Sequence, residues 1–473
     1  MSGRSLKLSF LCAAFVFVLL LPASSLHAQA APAAKPPNPS FDLDGYWLGT
    51  LDTGRGKLRL QFQITTTFGG STAALSSLDQ GPGSIPMTFS RDGDKVRMEA
   101  ASLGAVFSGT VNPEKKAIVG TLSQGAVLPL TLEKVLISAV DVPPPRPQNP
   151  VKPYPYRAED LTYENKGAGV VLAATLTIPE GKGPFPAVVL ITGSGAQDRD
   201  EALAGHRPFL VLSDYLTRHG IAVLRADDRG TAKSTGSFAG STTADFATDT
   251  EAGIAFLRGR KEIDPHKIGL VGHSEGGIIG PMVAARNPDV AFIVMMAGSG
   301  VSGDEVLIEQ AQLIAEAGGM DREAVDKIGT RQRAIMLLAR REKDPAAFER
   351  GLREIFAGQI PEEQMGTAVK QMTSPWMRYF IEYDPAIALR KVKCPVLALN
   401  GSKDLQVPPK QNLPAIRKAL EAGGNTHFEV VEMPGLNHLF QTAKTGSPSE
   451  YFQIDETIAP AALEKIAGWI GKQ

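Results

Sequence analysis

The chain has 473 residues, of which 43% are hydrophobic and 21% charged, and its formal net charge is −1. This balance fits a globular protein of two or three domains and excludes a disordered or fibrous chain, while 49 basic against 50 acidic side chains give no charge excess that would attract nucleic acid. Two cysteines exclude a disulfide scaffold and a cysteine-rich metal site.

Residues 1–30 read as a secretory signal peptide. Arg4 and Lys7 give a positive start, Leu8 to Leu21 is a mostly apolar run closed by Pro22, and Ala28-Gln29-Ala30 puts small residues at the −3 and −1 positions of a cleavage site. The run is shorter than the roughly 20 residues of a spanning helix, and no later segment is long and apolar enough, so no stable membrane span is expected after cleavage. Cys12, preceded by Ser9-Phe10-Leu11, matches a bacterial lipobox poorly, and no lipid anchor is expected. Cleavage after Ala30 leaves Cys394 as the only cysteine of an exported, periplasmic or secreted, bacterial protein.

Residues 31–40 are an Ala/Pro-rich lead-in. Residues 41–136 carry a β pattern: Lys57 to Ile64 alternates polar and apolar residues strictly, Leu128, Leu130 and Leu132 repeat the alternation, and Asp92-Gly93 is a hairpin signal. A small all-β domain, a barrel or a sandwich, is expected there. Residues 137–156 form a proline-rich linker with Pro143, Pro144, Pro145, Pro147, Pro150, Pro153 and Pro155.

Beyond it, β and α patterns alternate. The strand candidates are Pro186–Ile191, Ile221–Leu224, Ile268–Val271, Phe292–Met296, Pro395–Leu399 and Phe428–Val431. Helices are expected over Pro208 to His219 and around Phe246, Ile254 and Leu257. Apolar strands separated by helices predict a mostly parallel sheet covered on both faces, an α/β fold with core segments 157–300 and 391–473. The helical segment 301–390 interrupts it as a cap insertion, with Ser302 and Glu305 as a capping box and Gly318-Gly319 as a stop. Met320, Met336, Met365, Met372 and Met377 on it suit either a lining or plain core.

The chemistry concentrates in Gly272-His273-Ser274-Glu275-Gly276, between a strand and the helical run Ile278–Arg286. This is the context of a nucleophile elbow, in which a strained turn raises a serine hydroxyl above the sheet and the flanking glycines let backbones cross. Ser274 is therefore the expected nucleophile. Its base must follow it in the chain, which leaves His427 and His438; His427 starts a strand, and His438 lies in the loop after one, so His438 is expected. Asp404, in the loop after Val396–Leu399, is the expected acid, with Asp384 as runner-up. The oxyanion donors are expected to be the amide of Glu275 and that of Ser194, with Gly195 as the alternative to Ser194. The clusters Gln197-Asp198-Arg199-Asp200 and Asp227-Asp228-Arg229-Gly230 either orient the site through Asp–Arg pairs or staple loops together, the structural role being the favoured one, and Cys394 is expected to be a small buried hydrophobe. No His and carboxylate cluster has metal-ligand spacing, and neither a metal nor another cofactor is expected.

These motifs, with Ile191 to Asp200 and Gly435-Leu436-Asn437-His438, resemble the α/β-hydrolase superfamily, and within it EstD-type bacterial carboxylesterases, which place a β domain before a serine-aminopeptidase-like (S33-like) hydrolase domain. The resemblance covers residues 157–473 and is looser over the β region. It implies metal-free hydrolysis of a small-molecule ester through an acyl-enzyme on Ser274, with Asp404 and His438 as partners. Thr192 departs from the pattern, since many relatives carry His there. A serine peptidase on the same three residues is the alternative activity, and a non-catalytic binding protein with the same fold is the alternative class. The oligomeric state has no signature in the sequence.

Overall fold

The computed structural model describes residues 43–473 apart from 54–56, 68–69, 80–84, 101–102, 115, 125, 136–145 and 361. The expected signal peptide, the lead-in and Pro143 to Pro145 lie outside the described residues. The chain forms two compact units: one takes the described residues before Pro145 together with Phe356–Gly366, the other takes Arg146–Ile355 and Thr367–Gln473.

In the first unit, the sequence alternation becomes a closed barrel of eight strands: β1 (Gly45–Asp52), β2 (Lys57–Thr67), β3 (Gly70–Ser77), β4 (Ile85–Asp92), β5 (Lys95–Ala100), β6 (Ala105–Asn112), β7 (Ala117–Gln124) and β8 (Ala126–Val135). Each strand pairs antiparallel with the next, and β8 returns to β1 with Leu48 opposite Glu133. Closure removes the sheet edges, and eight strands leave an interior that side chains can fill. Trp47, Phe62, Met98, Phe107, Ile118 and Leu132 fill it, all fully buried. The expected hairpin forms one residue further on than its dipeptide: Asp92 pairs with Lys95, so Gly93 and Asp94 make the turn.

In the second unit, β9 (Arg157–Asn165), β10 (Val170–Ile178), β11 (Phe185–Ile191), β12 (Ala222–Ala226), β13 (Ile263–His273), β14 (Ile293–Met296), β15 (Val396–Gly401) and β16 (Phe428–Met433) form one sheet in the order β16-β15-β14-β13-β11-β12-β10-β9. The six strands from β11 onward are parallel; β9 and β10 are an antiparallel hairpin whose β10 pairs antiparallel with β12. Alternate residues of β11 enter opposite cores. Ala187, Val189 and Ile191 face one with α2 (Thr243–Arg258), α3 (Glu275–Ala284) and α10 (Pro409–Ala422); Val188 and Leu190 face the other with α1 (Pro208–Arg218) and α11 (Pro460–Ile470). Burying each Leu, Ile or Val there contributes about 1.5–3 kcal/mol. The two-sided burial explains the continuous apolar runs of the parallel strands.

Among the described residues, six helices lie between β14 and β15: α4 (Gly303–Ala317), α5 (Arg322–Arg341), α6 (Pro345–Phe356), α7 (Glu362–Met372), α8 (Pro375–Glu382) and α9 (Pro385–Leu389). The expected capping box does not form. Ser302 is the N-cap of α4, but its hydroxyl donates to Asp304 Oδ1 at 2.5 Å, and Arg340 of α5 clamps the same carboxylate. A charged partner outcompetes the local backbone amide. Met336, Met365, Met372 and Met377 are buried core residues. The described end of the proline-rich stretch is held onto the second unit: Gln148 Oε1 accepts from the amides of Thr457 and Ile458, and its Nε2 donates to Ile458 O at 2.6 Å. Among the described residues, no helix is long and apolar enough to cross a membrane.

Candidate active site

The loops after β11, β13, β15 and β16 gather at the carboxyl ends of the parallel strands, where such sheets form their sites. At the end of β13, Ser274 sits at φ 53° and ψ −112° and starts α3. A non-glycine residue at such angles costs about 1–3 kcal/mol, and the surroundings hold it in place. Its amide donates to Met296 O at 2.8 Å, and its carbonyl accepts from Gly277 N at 2.9 Å. A methyl group on Gly272 would lie 2.0 Å from Gly276 O, and one on Gly276 would lie 2.1 Å from Ile191 O. Backbone crossing thus dictates both glycines.

Asp404 and His438 are both buried and meet at 2.9 Å, Oδ2 to Nδ1. The other oxygen of Asp404 accepts from the amides of Gln406 and Val407 at 2.8 Å each, which fixes the carboxylate from behind. With Nδ1 committed to Asp404, Nε2 is the nitrogen His438 has for a serine proton. Asp384, the runner-up, instead caps α9 through Ala386 N, and His427 precedes β16.

The loop after β11 is bound down by the two Asp–Arg clusters. Arg199 holds Asp227 with two side-chain bonds of 2.9 and 2.8 Å, and Arg229 holds Asp249 at 2.7 and 2.9 Å. Thr192 donates to Asp228 Oδ1 at 2.7 Å, and Gln197 N donates to Oδ2. Burial pushes the Asp228 carboxyl well above its ordinary value, against those two hydrogen bonds. The Gly193 amide is taken by Glu201 Oε1 at 2.6 Å, so it is not available to a substrate oxygen.

Ser274 and His438 line one cleft with about 830 Å³ of empty space, part of it open to solvent. Gly193, Ser194, Gln197 and Glu201 contribute from the β11 loop, Val306, Leu307 and Gln310 from α4, Trp376 and Phe380 from α8, and Gln406 and Val407 from the β15 loop. Trp376 and Phe380 stack at 5.3 Å, and the Trp376 indole donates to Glu275 Oε1 at 2.8 Å. Burial raises the Glu275 carboxyl, and hydrogen bonds from Trp376 and Ser194 oppose the rise. The structure therefore brings Ser274, Asp404, His438 and Ser194 to one place. Gly195 lines a neighbouring cavity with Asp228, Phe246 and Glu275 instead.

Sequence reasoning gave no role to Glu201, His273 or Trp376. His273 Nδ1 is 2.9 Å from Glu201 Oε1, and its Nε2 is 3.0 Å from His438 O. Burial alone would lower the His273 pKa, but the Glu201 charge and hydrogen bond, with the His438 carbonyl, hold it above its ordinary value. Cys394 is half-buried against the core, and burial pushes its thiol up to about 11, as suits an inert side chain. Among the described residues, no group of three or more His, Cys, Asp and Glu could hold a metal ion.

The family model for X-Pro dipeptidyl-peptidases of the S15 family matches residues 168–431. Esterase EstD of Thermotoga maritima is 25% identical over 326 residues, which cover 68% of this chain and 69% of that protein. Among solved structures, a Pyrococcus furiosus esterase is 16% identical over 70% of this chain and 97% of its own, at a TM-score of 0.40. Proline iminopeptidase of Mycobacterium smegmatis is 15% identical over 66% of this chain and 98% of its own, at a TM-score of 0.42.

Proposed function

The chain belongs to the X-Pro dipeptidyl-peptidase (S15) family, in the α/β-hydrolase superfamily, and we propose that it is an exported serine carboxylesterase. Hydrolase activity of the esterase or peptidase type goes with the family. The ester reading draws support from the relative EstD, an esterase matched over about two thirds of both chains. The observation that carries the mechanism is the cleft itself: a serine on a strained elbow shares it with a histidine whose Nδ1 is held by a buried carboxylate at 2.9 Å.

In the proposed reaction, Ser274 Oγ attacks the acyl carbon while His438 Nε2 takes the hydroxyl proton. Asp404 keeps the imidazole in the tautomer with hydrogen on Nδ1 and stabilises the imidazolium. The amides of Glu275 and Ser194 receive the developing oxyanion; Ser194 lines the Ser274 cleft and Gly195 does not, which favours Ser194 as the second donor. Such a donor contributes about 10²–10³ in kcat. The tetrahedral adduct collapses, the alcohol leaves with the proton from His438, and a water activated by the same histidine releases the acid. The reaction as written needs no metal or cofactor.

Helices α4 and α8 act as a cap over the cleft in this reading, supported by the four apolar side chains Val306, Leu307, Trp376 and Phe380 that they contribute to its lining. Residues 1–30 act as the export signal. Expression in a bacterium with N-terminal sequencing of the exported protein tests this; a mature chain beginning at Ala31 is expected, and an intact Met1 would overturn it.

The second reading is a peptidase on the same three residues, favoured by the family model's own description. Hydrolysis of p-nitrophenyl esters against aminoacyl- and dipeptidyl-nitroanilides separates the two.

A further inference from the structure

We propose that Glu201 and His273 form a positioning pair that locks the base loop and the oxyanion loop to the nucleophile elbow. The proposal rests on the reading of Ser274 and His438 as nucleophile and base.

Three loops must agree in position for that chemistry: the one carrying Ser194, the one carrying Ser274 and the one carrying His438. A single chain of side-chain hydrogen bonds crosses all three. Gly193 N donates to Glu201 Oε1 at 2.6 Å, His273 Nδ1 meets the same oxygen at 2.9 Å, and His273 Nε2 meets His438 O at 3.0 Å. Gly193 and His273 are the immediate neighbours of Ser194 and Ser274, and the third link ends on the backbone of the base itself. The pair thus holds the backbone beside each working group.

A backbone carbonyl only accepts, so His273 Nε2 carries hydrogen. One hydrogen then lies between Oε1 and His273 Nδ1 and binds the two side chains, as a carboxylate–imidazolium or a carboxyl–imidazole pair. The pair is buried, with Glu201 at 4% and His273 at 6% exposure. Removing one partner of a buried hydrogen-bonded pair is costly, because the other polar group stays buried and unpaired.

Two further observations point the same way. Glu201 adopts φ +52°, a conformation rare outside glycine. The space is also closed: a methyl on Gly193 would lie 3.1 Å from Glu201 Oε1, 3.3 Å from Ser274 Cβ and 3.5 Å from His273 Nδ1. A displacement near 1 Å of a reacting group can cost about 100-fold in rate.

The test uses the full chain with Glu201→Gln, His273→Asn and the double variant beside Ser274→Ala. Active sites are counted with a fluorophosphonate, kcat and KM are measured on p-nitrophenyl butyrate, and inhibition by an alkylboronic acid reports oxyanion binding. In Glu201→Gln, a neutral His273 leaves either the amide oxygen facing a bare Nδ1 or the amide NH2 facing the Gly193 N–H, so one of the two links is lost. Each single variant is expected to lose about 10- to 100-fold in kcat per counted site, with KM within about threefold and boronate affinity falling alongside kcat. Because the pair acts as a unit, the double variant is expected to be no worse than the poorer single. Should a histidine variant fail to fold, the near-isosteric Glu201→Gln carries the test alone. The proposal is overturned if kcat per counted site stays within twofold of wild type, or if the losses of the two singles multiply. Activity that survives Ser274→Ala would instead overturn the reading beneath it.

Discussion

At the scale of single residues, the site divides into side chains that carry local signals and side chains that do not. Ser274 stands out because a glycine on either side at two residues' distance is a backbone requirement, and His438 and Asp404 because each follows a strand in the order the fold demands. Glu201 and His273 have no such pattern. Their partners are a backbone amide and a backbone carbonyl, at Gly193 and His438, that only the folded chain brings near. Thr192 shows the same limit, since its bond to Asp228 spans 36 positions. Asp404→Asn offers a test at this scale. An amide at this position favours the wrong histidine tautomer, so kcat should drop by about 10³–10⁴ while the fold persists. A loss below tenfold in the steady-state assay would show that Asp404 does not hold the base.

At the scale of elements, legibility followed the strength of the pattern. The alternation in β2 and β8 was read directly, and the parallel strands β11 to β16 were each found within a few residues. The hairpin β9–β10 was missed, although Val170 to Ile178 is nearly all apolar, because it follows the prolines and has no helix before it. Ser302 is the N-cap the sequence predicts, but in place of a capping box its hydroxyl joins Asp304 and Arg340, a contact made across two helices. The elbow gives a test of backbone demand. Gly276→Ala must push a methyl into Ile191 O, which would lie 2.1 Å away. Its melting temperature should fall by several degrees and its fluorophosphonate labelling should disappear, and wild-type labelling would refute the crossing argument. The wall of the cleft gives another. Trp376→Ala removes a ring stacked at 5.3 Å on Phe380, so the optimum on a p-nitrophenyl ester series should move to longer acyl chains. An unchanged profile would place the acyl group elsewhere.

At the scale of the whole molecule, each unit has its own core, and the composition had already allowed two or three domains. Acid stability is a property of this scale. His206 is fully buried between Thr457, Tyr451 and Gln441, and burial lowers its pKa from 6.5 to about 4. Below pH 6.5 the unfolded chain takes up a proton that the folded chain refuses. The stabilisation is therefore complete at neutral pH and is lost as the pH falls from 6.5 towards 4, by up to about 3 kcal/mol. Urea melts at pH 7 and pH 5 should show a smaller drop for His206→Gln than for wild type; equal drops would assign the acid sensitivity to other groups.

The most direct test of the central claim is hydrolysis of p-nitrophenyl esters from acetate to laurate by the mature protein, with Ser274→Ala alongside and aminoacyl- and dipeptidyl-nitroanilides as competitors. The account predicts ester turnover that disappears in the variant and weak or no cleavage of the anilides. Ester turnover that persists in Ser274→Ala, or anilides cleaved faster than every ester, would contradict it.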